Sequence, residues 1–278
     1  MRRAAATTYV VPPSSLARRT LLTETALVLG VSLGASAVWS ILSIVRRLTD
    51  RVALSAQTST MNNSVTPDRP WLDLAYQLAG IGLALVPVGL ALHLLARDGV
   101  PPGALGLSRR TAGGDVAREA AQGAAGNVSR DVVRGVALAA LVGIPGLGFY
   151  LAARALGANT TVAAANLAPV WWAVPVLILA AAQNAVLEEV VMIGYLLTRW
   201  RQAGCSAVAA VVGSAVIRGT YHLYQGFGGF LGNLAMGLLF GWLYTRRPRV
   251  GPLIVAHTLL DVVAFVGYAA LRGHVSWL

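Results

Sequence analysis

The sequence predicts an all-α fold: a polytopic transmembrane helix bundle of about seven spans, seven or eight. Two observations predict it. Mean hydropathy is +0.65. The chain is 56% hydrophobic and only 12% charged, whereas soluble domains average about 25% charged. In addition, seven hydrophobic stretches, approximately 22–45, 71–96, 132–153, 170–198, 205–223, 228–245 and 252–271, are long enough to cross a bilayer, given the ~20 residues that a helix needs.

Taken in order, residues 1–20 are polar and carry Arg2, Arg3, Arg18 and Arg19 ahead of the first stretch. They read as a cytosolic N-terminal segment. Ala35-Ser36-Ala37 resembles a signal-peptidase site, but the apolar run continues past it to Val45 and Glu24 interrupts its start. The first span is therefore expected to be retained. Residues 21–130 read as two N-terminal spans with polar connections. Residues 47–69 are polar, and residues 97–131 hold Pro101-Pro102-Gly103 and the mixed charges Arg109, Arg110, Asp115, Arg118 and Glu119. The latter stretch suggests a cytosolic loop with an interfacial helix. Residues 131–278 contain the remaining five spans.

The net charge is +11, and all 22 basic residues are arginine. Most lie in the N-terminus and the short loops, as topology signals do, and they place the N-terminus in the cytoplasm. Arg46, Arg47, Arg51 and Arg69 conflict with that orientation, since seven spans put them outside. No basic cluster is interleaved with aromatics, which argues against nucleic-acid binding. The single cysteine, Cys205, excludes an internal disulfide and a multi-cysteine metal site.

The informative residues are polar groups inside the spans. Glu188 and Glu189 sit side by side in the fourth. A carboxylate at mid-bilayer costs at least ~2.5–3.5 kcal/mol, so two in succession imply partners, a wet cavity or chemistry. Adjacent helical residues point about 100° apart, which suits one carboxylate facing a cavity and the other fixed in the wall. Asn184 lies one turn before Glu188 on the same face. The fifth span ends with Arg218 and His222, one turn apart. Tyr221 and Tyr224 beside them read as an interfacial aromatic belt. Asn233 is the notable polar group of the sixth span, whose Gly232, Gly237 and Gly241 favour close packing. The seventh carries His257 and Asp261 at i, i+4, a spacing at which the carboxylate can fix the imidazole tautomer. Glu24, Asp73 and His93 lie nearer span ends, where snorkelling is easy. Depth is an obstacle: on straight helices His257 and His222 would differ by ~16 Å.

In order and spacing these residues resemble the CAAX prenyl endopeptidase and bacteriocin-processing (CPBP, or Abi) family. That family shows Glu-Glu-x-x-x-Arg, Phe-x-x-x-His and His-x-x-x-Asn/Asp on separate membrane helices. The corresponding segments here are Glu188-Glu189-Val-Val-Met-Ile193, Arg218-Gly-Thr-Tyr-His222 and His257-Thr-Leu-Leu-Asp261. The resemblance covers roughly residues 170–265, within a membrane core of 131–278. Ile193 replaces the family arginine and Arg218 the family phenylalanine, so Arg218 is expected to supply from the neighbouring span the charge that Glu189 lacks on its own helix. A short basic turn before Pro252 also fits the family.

The resemblance implies an intramembrane endopeptidase in a bacterial inner membrane, without cofactor or metal, that cleaves a membrane-associated or lipidated peptide. Glu188 would be the general base for a water shared with His222, and His257 and Asp261 would stabilise the oxyanion. Glu189, Arg218, Asn184 and Asn233 would support them. Two other classes stand beside this one. Glu, His and Asp are legitimate zinc ligands, but the chain has no His-Glu-x-x-His. Intramembrane acids also mark proton pathways, and the altered motif positions suit a non-catalytic scaffold or a transporter.

Overall fold

A computed structural model describes residues 11–107 and 115–275. Arg2, Arg3, Arg109 and Arg110 lie outside the described residues. The helices are α1 (Arg18–Gly30), α2 (Leu33–Leu48), α3 (Pro70–Ala84), α4 (Val86–Arg97), α5 (Asp115–Ala155) and α6 (Ala173–Glu188). A π-helical segment, Glu189–Tyr195, joins α6 to α7 (Leu196–Gln202). Then follow α8 (Ala207–Tyr221), α9 (Phe227–Arg246) and α10 (Gly251–Leu271). The protein is an all-α helix bundle and an integral membrane protein.

Each predicted stretch coincides with an apolar helix, although not all are long enough to cross alone. Five are: Pro70–Arg97, Val128–Ala155, Ala173–Gln202, Phe227–Arg246 and Gly251–Leu271. The first stretch is the pair α1 and α2, bent by 57°, which makes a sixth if the pair is one span. At the break, Ser32 Oγ donates to the Val28 carbonyl, the kind of back-bond that bends helices. The fifth stretch is α8, only 15 residues. The expected interfacial helix is not separate: residues from Asp115 onward are the start of α5.

Contacts rather than helix length close the gap in depth: the Tyr221 phenol, next to His222, reaches Glu188, and His257 reaches the adjacent Glu189. The fifteen residues of α8 rise ~22 Å, against a hydrocarbon core of ~30 Å. The helix therefore stops well short of the far side. His222, its C-cap residue, is half-buried. The following turn is tied inward. The Tyr224 amide donates to Ser40 Oγ, eight residues before the end of α2, or ~12 Å along that helix.

Two groups of connections hold the bundle at its ends. At one end the Gln202 side chain donates to the Pro12 carbonyl, the Val250 amide to the Leu105 carbonyl, and Arg199 to Asp98. At the other, β1 (Thr58–Thr60) pairs in parallel with β2 (Thr161–Ala163). Ser59 Oγ donates to the Tyr224 carbonyl, and the Thr160 amide to that of Gln225. Asp73 does not snorkel: it is buried and accepts from Ser64 Oγ and the Val65 and Thr66 amides. Glu24 also differs from expectation, pairing with Arg97 and with buried Arg199.

The span Ala173–Gln202 is the hub: 61% of its apolar window is buried, against 11–33% for the other four. It packs on α10 and α3, and its π segment on α4 and α8. Glycines permit the close approaches. A Cβ on Gly237 would lie 2.9 Å from Ala215 Cα, and one on Gly241 2.8 Å from Val211 Cγ1. Gly232 differs, with only ordinary contact to Phe149.

Candidate active site

The polar residues of α6, the π segment, α8 and α10 converge. Glu188 is the last residue of α6, and Glu189 opens the π segment. A π turn is rare and concentrates at functional sites. Here its seven residues are all buried. Glu189 is fully enclosed, whereas the Glu188 side chain retains 10% of its exposure. The two adjacent carboxylates thus differ in enclosure, as side chains about 100° apart on a helix can.

Arg218 reaches across from α8 as expected. Its Nη2 donates to Glu189 Oε1 at 2.5 Å and stands 3.6 Å from Glu188 Oε2. The guanidinium is buried and lies over the Phe240 ring at 5.7 Å. Ile193, at the position of the family arginine, is buried in the apolar core beside Val190 and Met192. The charge missing from one helix is thus present on its neighbour.

His257 makes a different bond from the one its spacing suggested. Its Nδ1 lies 2.8 Å from Glu189 Oε1, while its Nε2 is 3.7 Å from Asp261 Oδ1, outside hydrogen-bonding range. The carboxylate that orients the imidazole is therefore Glu189, from another helix. It accepts, so Nδ1 carries the hydrogen and Nε2 faces the Asp261 side. Asn184 hydrogen-bonds the Asp261 carboxyl. His222 is fixed by its own backbone: Nδ1 lies 3.0 Å from the Arg218 carbonyl. A carbonyl only accepts, so Nδ1–H donates and Nε2 is the free nitrogen.

Asn233 is not drawn into this cluster; its Nδ2 donates to the Gly229 carbonyl of its own helix. The residue that sequence reasoning missed is Tyr221. It is buried rather than part of an aromatic belt, and its hydroxyl donates to Glu188 Oε2 at 2.7 Å. Its position between Arg218 and His222 was the available signal. Among the described residues, no three His, Cys, Asp or Glu side chains converge as a metal-ligand set.

A family model described as type II CAAX prenyl endopeptidase Rce1-like matches residues 170–263. Over those residues the chain is similar to the CAAX-protease (CPBP) family. The CAAX-protease match spans all three motifs and every residue of the convergent cluster, from Asn184 to Asp261. The CAAX proteases are membrane proteases that act on membrane-associated protein substrates. No curated protein and no solved structure matches the chain.

Proposed function

We propose that this protein is an intramembrane endopeptidase that hydrolyses a peptide bond in a membrane-associated or lipidated peptide, using a water activated by Glu188. The observation that carries the reading is the meeting of Glu188, Glu189, Arg218 and His257, contributed by three separate spans in the order of the family motifs. A packing role would not require so many buried polar groups to be directed at one another.

In this reading Glu188 takes a proton from water while His222 Nε2 holds the same water. The hydroxide adds to the scissile carbonyl, and His257, protonated at Nε2 as well as Nδ1, and Asp261, as the carboxylic acid, donate to the developing oxyanion. The proton on Glu188 then passes to the departing amine. Glu189 and Arg218 form the wall: Glu189 aims His257, and Arg218 neutralises Glu189. The compensation by Arg218 weakens the argument for an idle scaffold, since the altered motif positions still deliver a paired glutamate. The 131–278 region would be the catalytic core, with 21–130 as two buttressing spans. The arginine distribution favours a cytoplasmic placement of residues 1–20.

The test compares peptide termini in host membranes carrying either the wild-type protein or Glu188→Gln at matched expression. A terminus that appears only with wild type supports the peptidase and identifies its substrate. Identical termini would overturn the reading in favour of a non-catalytic partner.

A further inference from the structure

We infer that Tyr221 is a positioning residue of this site. Its phenol occupies one oxygen of Glu188 and leaves the other to engage water. The inference rests on the peptidase reading and adds a residue at a position that the second motif spans but leaves unspecified.

Glu188 Oε2 accepts from Tyr221 Oη at 2.7 Å and faces Arg218 Nη2 at 3.6 Å. Both groups approach the same oxygen. No hydrogen bond to Glu188 Oε1 is present among the described residues, and the side chain keeps some exposure. Oε2 is therefore the anchored oxygen and Oε1 the one available to a reactant. A general base must present a lone pair within ~2.6–3.2 Å of the proton it removes. A carboxylate free to rotate about its terminal bond would meet that demand only part of the time.

Position strengthens the case. Tyr221 is the last residue of α8, immediately before His222, and the two rings lie 4.8 Å apart. One short segment thus fixes Glu188 through the phenol and the His222 ring through the Arg218 carbonyl. The two groups assigned to the water are held to a common frame. Tyr221 is also buried and makes this bond in preference to a lipid-facing placement, where a tyrosine at an interface would direct its hydroxyl outward.

The test uses the whole 278-residue chain and three variants: Tyr221→Phe, Glu188→Ala and the double. Thermal midpoints in detergent close a double-mutant cycle, which reports on the hydrogen bond without requiring turnover. Rates are measured on a synthetic peptide that spans the wild-type-dependent cleavage site. Tyr221→Phe is expected to lower kcat at least tenfold with KM within twofold. Fluorotyrosine introduced at 221, which restores a hydroxyl, should recover most of the rate. Non-zero coupling together with kcat within twofold of wild type would make the bond purely structural and overturn the inference, leaving the peptidase reading intact. Additive midpoints would overturn it by removing the bond. If wild type itself generates no terminus, both the peptidase reading and the positioning role fall.

Discussion

At the scale of single residues, the Glu189 carboxylate is the junction of the site. One oxygen, Oε1, accepts from both Arg218 and His257, while Oε2 has no hydrogen-bond partner. Removing one partner of a buried ion pair strands the other and costs ~3–5 kcal/mol. Glu189→Arg and Arg218→Glu should therefore each fail to give a monodisperse protein in detergent. The double exchange should restore folding, because it recreates the pair. It should not restore cleavage, because a guanidinium at 189 cannot accept from His257 Nδ1. Monodispersity by size-exclusion chromatography, followed by the terminus assay, separates the two effects. Single variants that fold normally would show that the pair contributes little. The same residues show what the sequence made legible. Glu189 with Arg218 followed from counting charges that needed partners. The His257–Glu189 bond did not, because i, i+4 spacing on α10 favoured Asp261 as partner, and a contact between helices has no signature in local spacing. Tyr221 was hidden for a similar reason: a tyrosine near a span end satisfies belt composition as readily as it serves a carboxylate.

At the scale of elements, the turn after α8 is the piece most dependent on its surroundings. It carries His222 and is held by Ser40, Ser59 and Thr160 from three distant segments. Gly226 closes it at φ +111°, where its Cβ would meet the Ala158 carbonyl oxygen at 2.7 Å and Asn159 Cα at 2.7 Å. That backbone region is nearly exclusive to glycine and costs ~1–3 kcal/mol for other residues. Gly226→Ala should lower the thermal midpoint and also reduce cleavage more than tenfold, because the turn must shift away from Asn159 and carry His222 with it. A midpoint loss without a fall in kcat at permissive temperature would show that His222 is positioned by α8 alone. The positions of the helices could be read from apolar length. The shortness of α8 and the π segment could not, since both depend on where tertiary contacts interrupt a continuous apolar run. The 205–223 stretch looks like an ordinary span until its end is seen to be tied to Ser40 and Ser59.

At the scale of the whole molecule, the hydrogen bonds between connections sort the chain into two ends. Residues near 12, 98–107, 203–206 and 247–250 share one; residues 57–66, 159–166 and 222–226 share the other. With α1 and α2 counted as one crossing and α8 as another, each connection falls on the end that alternation requires. The sorting stands without the Arg199–Asp98 bond, on Gln202–Pro12 and Val250–Leu105, so it is independent of charge bias. Of the four arginines that conflict with this orientation, Arg47 is engaged by Gln57 and the Thr58 carbonyl, and so its cost at that end is partly met within the loop. On the opposite end Arg199 and Arg249 are likewise paired, with Asp98 and Asp131, but Arg18, Arg19, Arg201, Arg246 and Arg247 remain to bias orientation. In a Cys205→Ala background, Thr60→Cys and Leu156→Cys should react with a membrane-impermeant maleimide added to intact cells. Arg247→Cys should react only after the membrane is opened. All three positions are chosen for exposure, so accessibility within the fold does not limit labelling. Labelling of all three from one side would break the alternation and remove one crossing. Reversed labelling would keep the bundle and the site but invert the protein, placing the turn that carries His222 toward the cytoplasm.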